Sequence, residues 1–191
     1  MTTPITKKIG VLGAGQLGRM LAISGYPLGQ TFGFYGENDN EPVARLGQLF
    51  EPSNTASALE ALVDFADVIT YESENTDMVL VREIAKTTPV YPAEKSLYMS
   101  QHRGREKGLF DQLNIPCAPY QIVDSLESLH LAVDAIGLPA VLKTTTEGYD
   151  GKGQFVLKET AQIEQAWTEI GGTELVLERF VDFQRELSMI A

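Results

Sequence analysis

Along the chain, apolar positions switch repeatedly between two periods. IGVL at 9–12 is a continuous apolar run, after which Leu17, Met20, Leu21 and Ser24 follow at helical spacing, with Gly25 as a stop. TFGFY at 31–35 is β-rich and runs into the turn-like GENDNEP. SALEALVDFA at 57–66 predicts a helix, DVITYE at 67–72 a strand, TDMVLVREIAKT at 76–87 a second helix and PVYP at 89–92 a short strand. Strands alternating with helices in this way predict a parallel, doubly wound sheet of α/β class, a Rossmann-like domain over residues 1–95.

The pattern then changes. Residues 95–114, KSLYMSQHRGREKGLFDQLN, predict a long connecting helix with Gly104 and Gly108 as weak points, so 96–116 is assigned as connector and start of the next region. IPCAPYQIV at 115–123 carries two prolines and then a strand, which marks a boundary. Over 117–191 the expected style is α+β. Asp124 and Glu127 form a capping box for a helix at 125–136 ended by Gly137. AVLKT and QFVLK are strands flanking a glycine-rich loop, and Thr160 caps a helix at 161–170. ELVLERF at 174–180 and RELSMIA at 185–191 complete the strands. An apolar strand at the very end predicts a chain truncated within a domain.

Composition narrows the function classes. The 191 residues are 43% hydrophobic and 21% charged, ordinary for a globular protein with a real core. A formal net charge of −11 argues against nucleic acid as a partner, which needs clustered Lys and Arg. It leaves room for a small phosphorylated ligand held by a few cations. The single cysteine, Cys117, cannot pair internally, and neither a signal peptide nor a membrane-length apolar run is present, which predicts a cytoplasmic protein.

Four stretches carry candidate chemistry. GAGQLG at 13–18 fits G-x-G-x-x-G between a strand and a helix, where Gly13 permits the turn, Gly15 a close backbone approach and Gly18 tight packing. A dinucleotide, another phosphate or anion, and a purely structural turn all remain open for it. The dinucleotide reading asks for an acid about twenty residues on, for which Glu37 or Asp39 would serve. TYESEN at 70–75 places Glu72, Glu74 and Asn75 at the C-terminal edge of the sheet, where α/β folds bind ligands, although Glu74 or Asn75 would equally cap the next helix. In QHRGREK, Arg103 and Lys107 are i,i+4 neighbours that repel unless an anion lies between them, against the default of a solvated charged face.

KTTTEGYDGKGQFVLK at 143–158 is the most informative. Lys143 ends a strand whose alternation points Val141 and Lys143 to one face and Leu142 and Thr144 to the other. Ordering so many glycines is entropically unfavourable, and the loop is far longer than a hairpin needs. Its amides would wrap a polyphosphate, with Lys152 adding charge. It is not a Walker A loop, since no Ser or Thr follows the lysine and a strand comes next. Downstream, Glu178, Arg179, Phe180 and Val181 offer the backbone groups and apolar face that an adenine needs, with Glu186 beyond them.

VLGAGQLGRM, TYESEN, QHRGREK, VLKTTTEGYDGKGQ and LERFVDFQRELSMIA, in this order and spacing, resemble the N-terminal half of the N5-carboxyaminoimidazole ribonucleotide synthase family. These are the ATP-grasp carboxylases of purine biosynthesis. The resemblance implies a Rossmann-like pre-ATP-grasp domain followed by an ATP-grasp lid subdomain. It implies a ligase that uses ATP and bicarbonate to carboxylate 5-aminoimidazole ribonucleotide through carboxyphosphate. Arg103 and Lys143 would then touch ATP phosphates. Gly148, Tyr149, Asp150, Gly151, Lys152, Gly153 and Gln154 would form the closing loop, with Tyr149, Asp150 and Lys152 as its catalytic members. Glu178, Arg179, Phe180 and Val181 would bind adenine, and Glu186 the ribose. Gly13, Gly15, Gln16, Leu17 and Glu72 would face the acceptor nucleotide or its phosphate.

Mg²⁺ is implied as well, with ligands expected beyond residue 191 and none assigned here, so this chain alone is expected not to turn over. A homodimer is expected at full length. The family often carries Asp where His102 stands. Three rival readings are another ATP-grasp ligase, a dinucleotide-binding oxidoreductase resting on GAGQLG alone, and a non-catalytic nucleotide-binding or regulatory module.

Overall fold

The computed structural model describes residues 6–37, 40–52, 57–148, 152–171 and 174–189. The chain divides into two compact units, Met1–Tyr98 and Met99–Ala191. Among the described residues, no helix is long and apolar enough to cross a membrane.

The first unit is built on a parallel four-stranded sheet of order β3-β2-β1-β4. Its strands are β1 (Lys8–Leu12), β2 (Thr31–Tyr35), β3 (Gln48–Phe50) and β4 (Val68–Tyr71), and its helices include α1 (Gln16–Gly25), α2 (Ala58–Phe65) and α3 (Met78–Ile84). Helix α4 (Glu94–Ser100) follows. Parallel neighbours need crossovers; α1 links β1 to β2 and α2 leads from β3 to β4, while between β2 and β3 the described residues form no helix. One face packs Val11, Phe32, Phe34 and Ala22 of α1; the other packs Leu12 and Ile69 against Leu62 of α2 and Val81 and Ile84 of α3. With both faces covered, β1 reads as the continuous apolar run seen at 9–12.

The second unit is an antiparallel four-stranded sheet of order β5-β8-β6-β7. After α5 (Arg103–Gln112) come β5 (Tyr120–Val123), α6 (Leu126–Ile136), β6 (Ala140–Thr144), β7 (Gln154–Leu157), α7 (Ile163–Ile170) and β8 (Leu175–Arg179). Leu142, Leu157, Leu175 and Leu177 point to one face and pack with Leu129, Val133 and Ile136 of α6 and Ile163 and Ala166 of α7. The register sets what shares the other face. Val141 lies opposite both Glu178 and Val156, and Lys143 opposite Val176 and Gln154. The α/β class and the change of style between the two units are as the hydrophobic pattern predicts.

Several local expectations are corrected. The helix expected over 95–114 is two helices, α4 and α5, and the break falls at Gln101 and His102 instead of at Gly104 or Gly108. His102 is extended (φ −137, ψ 112) and its imidazole accepts from the Arg105 amide, so it acts as an N-cap. The cap of α6 is a reciprocal pair one residue later than expected, Ser125 with Ser128, and not Asp124 with Glu127. A hydroxyl at Ser125 reaches the orphan amide of Ser128 at 3.1 Å, while Asp124 accepts from the Ser128 hydroxyl. Thr160 does not cap α7: Glu159 and Gln162 box a short 3₁₀ turn over Thr160–Gln162 that leads into it. Neither Glu74 nor Asn75 caps α3; Asp77 does, accepting from the Val79 amide.

PVYP reduces to a single bridge between Val90 and Ile69, while β3 at the sheet edge had no signal beyond three residues, too few for a period. Residues 185–189 form no strand. Both edges of β8 are paired, by β5 and β6, and residues 185–189 do not extend the sheet at its outer strands, β5 and β7.

Two substitutions check this packing. Leu142→Ala is expected to lower stability by about 2–5 kcal/mol, and Ser125→Ala by about 1 kcal/mol, each measured by denaturant unfolding.

Candidate functional site

Glycine geometry shapes the turn after β1. Gly13 sits at φ +118, a conformation other residues resist, and its amide donates to the Tyr35 carbonyl at 3.0 Å. The turn delivers the amides of Gly15 and Gly18 to the start of α1. Those amides are already engaged by the chain's own carboxylate. Both Glu72 oxygens accept from Gly15 at 3.1 Å, and Oε2 accepts from Gly18 at 2.7 Å. A side chain at Gly13 would lie 2.4 Å from Glu72, so the glycine pattern is required by this carboxylate. Glu72 thus occupies the place where a dinucleotide would put its pyrophosphate.

Gln16 and Leu17 lie on the first turn of α1 and are exposed, and Leu17 borders a cavity with Tyr71 and Glu72. Glu37 follows β2 and is exposed; Asn38 and Asp39 lie outside the described residues.

In the second unit, the glycine loop leaves β6 at Thr144 and re-enters β7 at Gln154. Its base is closed by the Thr144 amide donating to the Gly153 carbonyl at 2.9 Å. Gly148 (φ 82) and Gly153 (φ 69) turn the chain where a side chain would be strained. Tyr149, Asp150 and Gly151 lie outside the described residues.

Arg103, at the start of α5, is committed to the first arm of this loop. Its guanidinium donates to the carbonyls of Thr144 at 2.7 Å, Gly148 at 2.9 Å and Glu147 at 3.4 Å, and its amide donates to the Thr145 carbonyl at 2.8 Å. His102 adds a contact to Glu174 at 2.7 Å. Lys152 and Gly153 border a cavity of ≈ 440 Å³ that Thr144, Thr145 and Glu174 also line.

Lys143 stands at the mouth of the loop, on the sheet face opposite the apolar core. It donates to Glu178 Oε2 at 3.0 Å, and Lys107 of α5 lies 3.3 Å from Oε1 of the same carboxylate. Glu178 and Lys107 are each 12% exposed and Lys143 26% exposed. Two ammonium groups against one carboxylate leave this cluster with one net positive charge. The pairing also resolves the i,i+4 repulsion between Arg103 and Lys107. Each cation has its own acceptor inside the chain, the loop carbonyls for Arg103 and the Glu178 carboxylate for Lys107.

Lys107 also lies 5.3 Å from the centre of the Tyr120 ring, and Tyr120 donates to Asp111 at 2.7 Å. That hydrogen bond, with burial and the Asp111 charge adding to it, pushes the Tyr120 phenol from 10.0 up to about 12.

The remaining predicted residues lie along the exit of β8. The amides of Arg179 and Phe180 donate to the carbonyls of Pro119 and Pro139 at 2.9 and 3.0 Å. Phe180 and Val181 are 40% and 54% exposed, which leaves an apolar surface open beside Glu178. Glu186 is exposed in the segment that forms no strand, so among the described residues 185–189 the expected return onto this region is not seen. Cross-strand pairing thus brings Lys143, Gln154 and Glu178 together, and α5 adds Lys107, whose target sequence spacing alone did not identify.

Residues 6–101 match the family described as the ribonucleotide synthetase preATP-grasp domain, and residues 108–191 match the ATP-grasp domain. The chain belongs to the ribonucleotide synthetase preATP-grasp family. It is 43% identical over 185 residues to N5-carboxyaminoimidazole ribonucleotide synthase of Pseudomonas aeruginosa, an alignment covering 96% of this chain and 51% of the relative. Among solved structures, it is similar to an N5-carboxyaminoimidazole ribonucleotide synthetase in complex with ADP, with a TM-score of 0.85, 34% identity, and coverage of 96% of this chain and 50% of the other. The synthetase from Thermus thermophilus gives a TM-score of 0.83 at 37% identity, over 93% of this chain and 48% of that one. The chain therefore spans about half the length of the relatives it matches.

The Tyr120 contact has a pH signature. The neutral phenol is favoured by folding, so its contribution to stability is complete below 10 and is lost as pH rises through about 12. In a tyrosinate absorbance titration Asp111→Asn is expected to move the highest tyrosine transition downward; an unchanged curve would show that Asp111 does not set it.

Proposed function

We propose that this chain forms the ATP-phosphate side of a carboxylase that converts 5-aminoimidazole ribonucleotide to N5-carboxyaminoimidazole ribonucleotide, using ATP and bicarbonate. The observation that carries this reading is the Lys143–Glu178 pair, set on the open face of the sheet at the mouth of a glycine loop. The names of the relatives support it, as does the ADP bound by one of the similar structures.

In this reading bicarbonate attacks the γ-phosphorus of ATP, giving carboxyphosphate and ADP. The exocyclic amine of the acceptor then attacks the carboxyl carbon and phosphate leaves. Phosphoryl transfer depends mostly on positioning and electrostatics, which suits Lys143 as the cation at the phosphates. The loop at 148–154 closes over them and excludes water, which would otherwise hydrolyse carboxyphosphate. Arg103 acts by holding the loop's first arm through three carbonyls. Tyr149, Asp150 and Lys152 are the loop members assigned to the reacting groups. The exit of β8 (Glu178, Arg179, Phe180, Val181) receives adenine, and Glu186 the ribose.

Glu72, with Gly13, Gly15, Gln16 and Leu17 around it, faces the acceptor. Because its carboxylate already fills the amide cradle, it fits an amine or hydroxyl of that nucleotide better than a phosphate. Mg²⁺ is the usual companion of ATP in such chemistry. Among the described residues no group of three or more His, Cys, Asp or Glu side chains gathers to hold a metal. A cytoplasmic location accords with the single cysteine.

Titration calorimetry tests the reading. Saturable ATP binding is expected, and Lys143→Met is expected to weaken it about tenfold, near 1.4 kcal/mol. A dinucleotide oxidoreductase instead predicts saturable NADH binding. With Glu72 filling the pyrophosphate position, fluorescence titration is expected to show none; NADH binding without ATP binding would reverse the assignment.

A further inference from the structure

The structure gives Glu178 two cationic partners where one would neutralise it, and the second, Lys107, comes from a helix instead of the sheet. Lys107 is placed unlike a ligand-binding lysine. Its side chain is 12% exposed, runs over the Tyr120 ring and ends on Glu178 Oε1, whereas Lys143 is 26% exposed and stands beside Gln154 at the mouth of the loop. Tyr120 is itself the direct cross-strand neighbour of Glu178 and is tied to Asp111, one turn along α5 from Lys107. The contact between α5 and the sheet is thereby fixed on both sides of the ammonium group.

We propose that Lys107 is a positioning residue: by holding Oε1 of Glu178, it allows Lys143 to leave Oε2 and turn to the phosphates of a nucleoside polyphosphate. The proposal rests on the nucleotide reading above. Its physical basis is the desolvation of Glu178. A carboxylate that is mostly buried and has a single cation holds that cation firmly, because losing it strands an unpaired buried charge. With Lys107 in place, the departure of Lys143 leaves an ion pair and not a bare carboxylate. The net positive charge of the cluster is then available to the ligand through Lys143. Without Lys107 the cluster is neutral, and Lys143 must choose between Glu178 and the phosphates.

The test is a double-mutant cycle read by calorimetric titration with ATP, with thermal melting to follow the fold. Wild type, K107M, K107R, E178Q and K107M/E178Q are compared. Methionine keeps the stem over Tyr120 while removing the charge, and K107Q repeats the measurement if K107M lowers the melting temperature. K107M is expected to weaken ATP binding about 3- to 10-fold, the range for loss of one partly buried charge. K107R is expected to restore most of it. In the E178Q background, where there is no carboxylate to hold, K107M is expected to change affinity by less than about twofold. Unchanged ATP affinity in K107M and K107Q overturns the proposal, as does an equal loss with and without the E178Q substitution, which would make Lys107 a direct or merely structural contributor. If wild type binds no ATP, the nucleotide reading itself fails and this inference falls with it; that result is distinguishable from a wild type that binds and a K107M that binds equally well.

Discussion

The second unit depends on the difference between the two faces of its sheet. Leu142, Leu157, Leu175 and Leu177 take up one face against α6 and α7, so every alternate residue must point the other way. That leaves Lys143 and Glu178 on a face covered only in part by α5. Because Glu178 pairs directly with Val141, Lys143 is its diagonal neighbour, close enough for the observed 3.0 Å contact. A one-residue slip of β6 against β8 would put Lys143 into the core and Leu142 into the site. The apolar packing therefore fixes the charged geometry, and the register links stability to chemistry.

The same economy operates in the first unit with the opposite sign. A helix start with free amides is an anion site waiting for an occupant. Here the occupant is Glu72, brought by β4 to the C-terminal edge of the parallel sheet, where its own amide donates to the Leu12 carbonyl at 3.2 Å. The familiar glycine pattern consequently serves a side chain of the protein itself. Steric demand explains all three glycines, since a side chain at Gly13, Gly15 or Gly18 would lie within 2.8 Å of Glu72 atoms. A motif learned from dinucleotide sites thus marks a turn that exposes a carboxylate.

Much of the fold was legible because secondary structure leaves a local periodic trace. The strands at 9–12, 31–35 and 140–144 and the helices near 16–25 and 126–136 fall where the apolar period places them. The failures share a cause. The break at His102 depends on an imidazole reaching Arg105 and Glu174, and a strand at 185–189 needs a partner strand that no pattern within the segment supplies. Three-residue β3 is too short to show a period. In each case the deciding contact comes from outside the window that a periodic pattern samples.

The amino-acid order by itself determined the two styles of unit, the positions of both glycine turns and the face on which Lys143 lies. These follow from alternation and steric permission, which act over a few neighbouring residues. Only the tertiary structure decided what the charges touch. Glu72 meets Gly15 across 57 positions and Lys143 meets Glu178 across 35, while Lys107 reaches the same carboxylate only because α5 docks beside β5. A charge selects its partner by distance and desolvation, and in this chain both were set by the packing of strands and helices far apart in sequence.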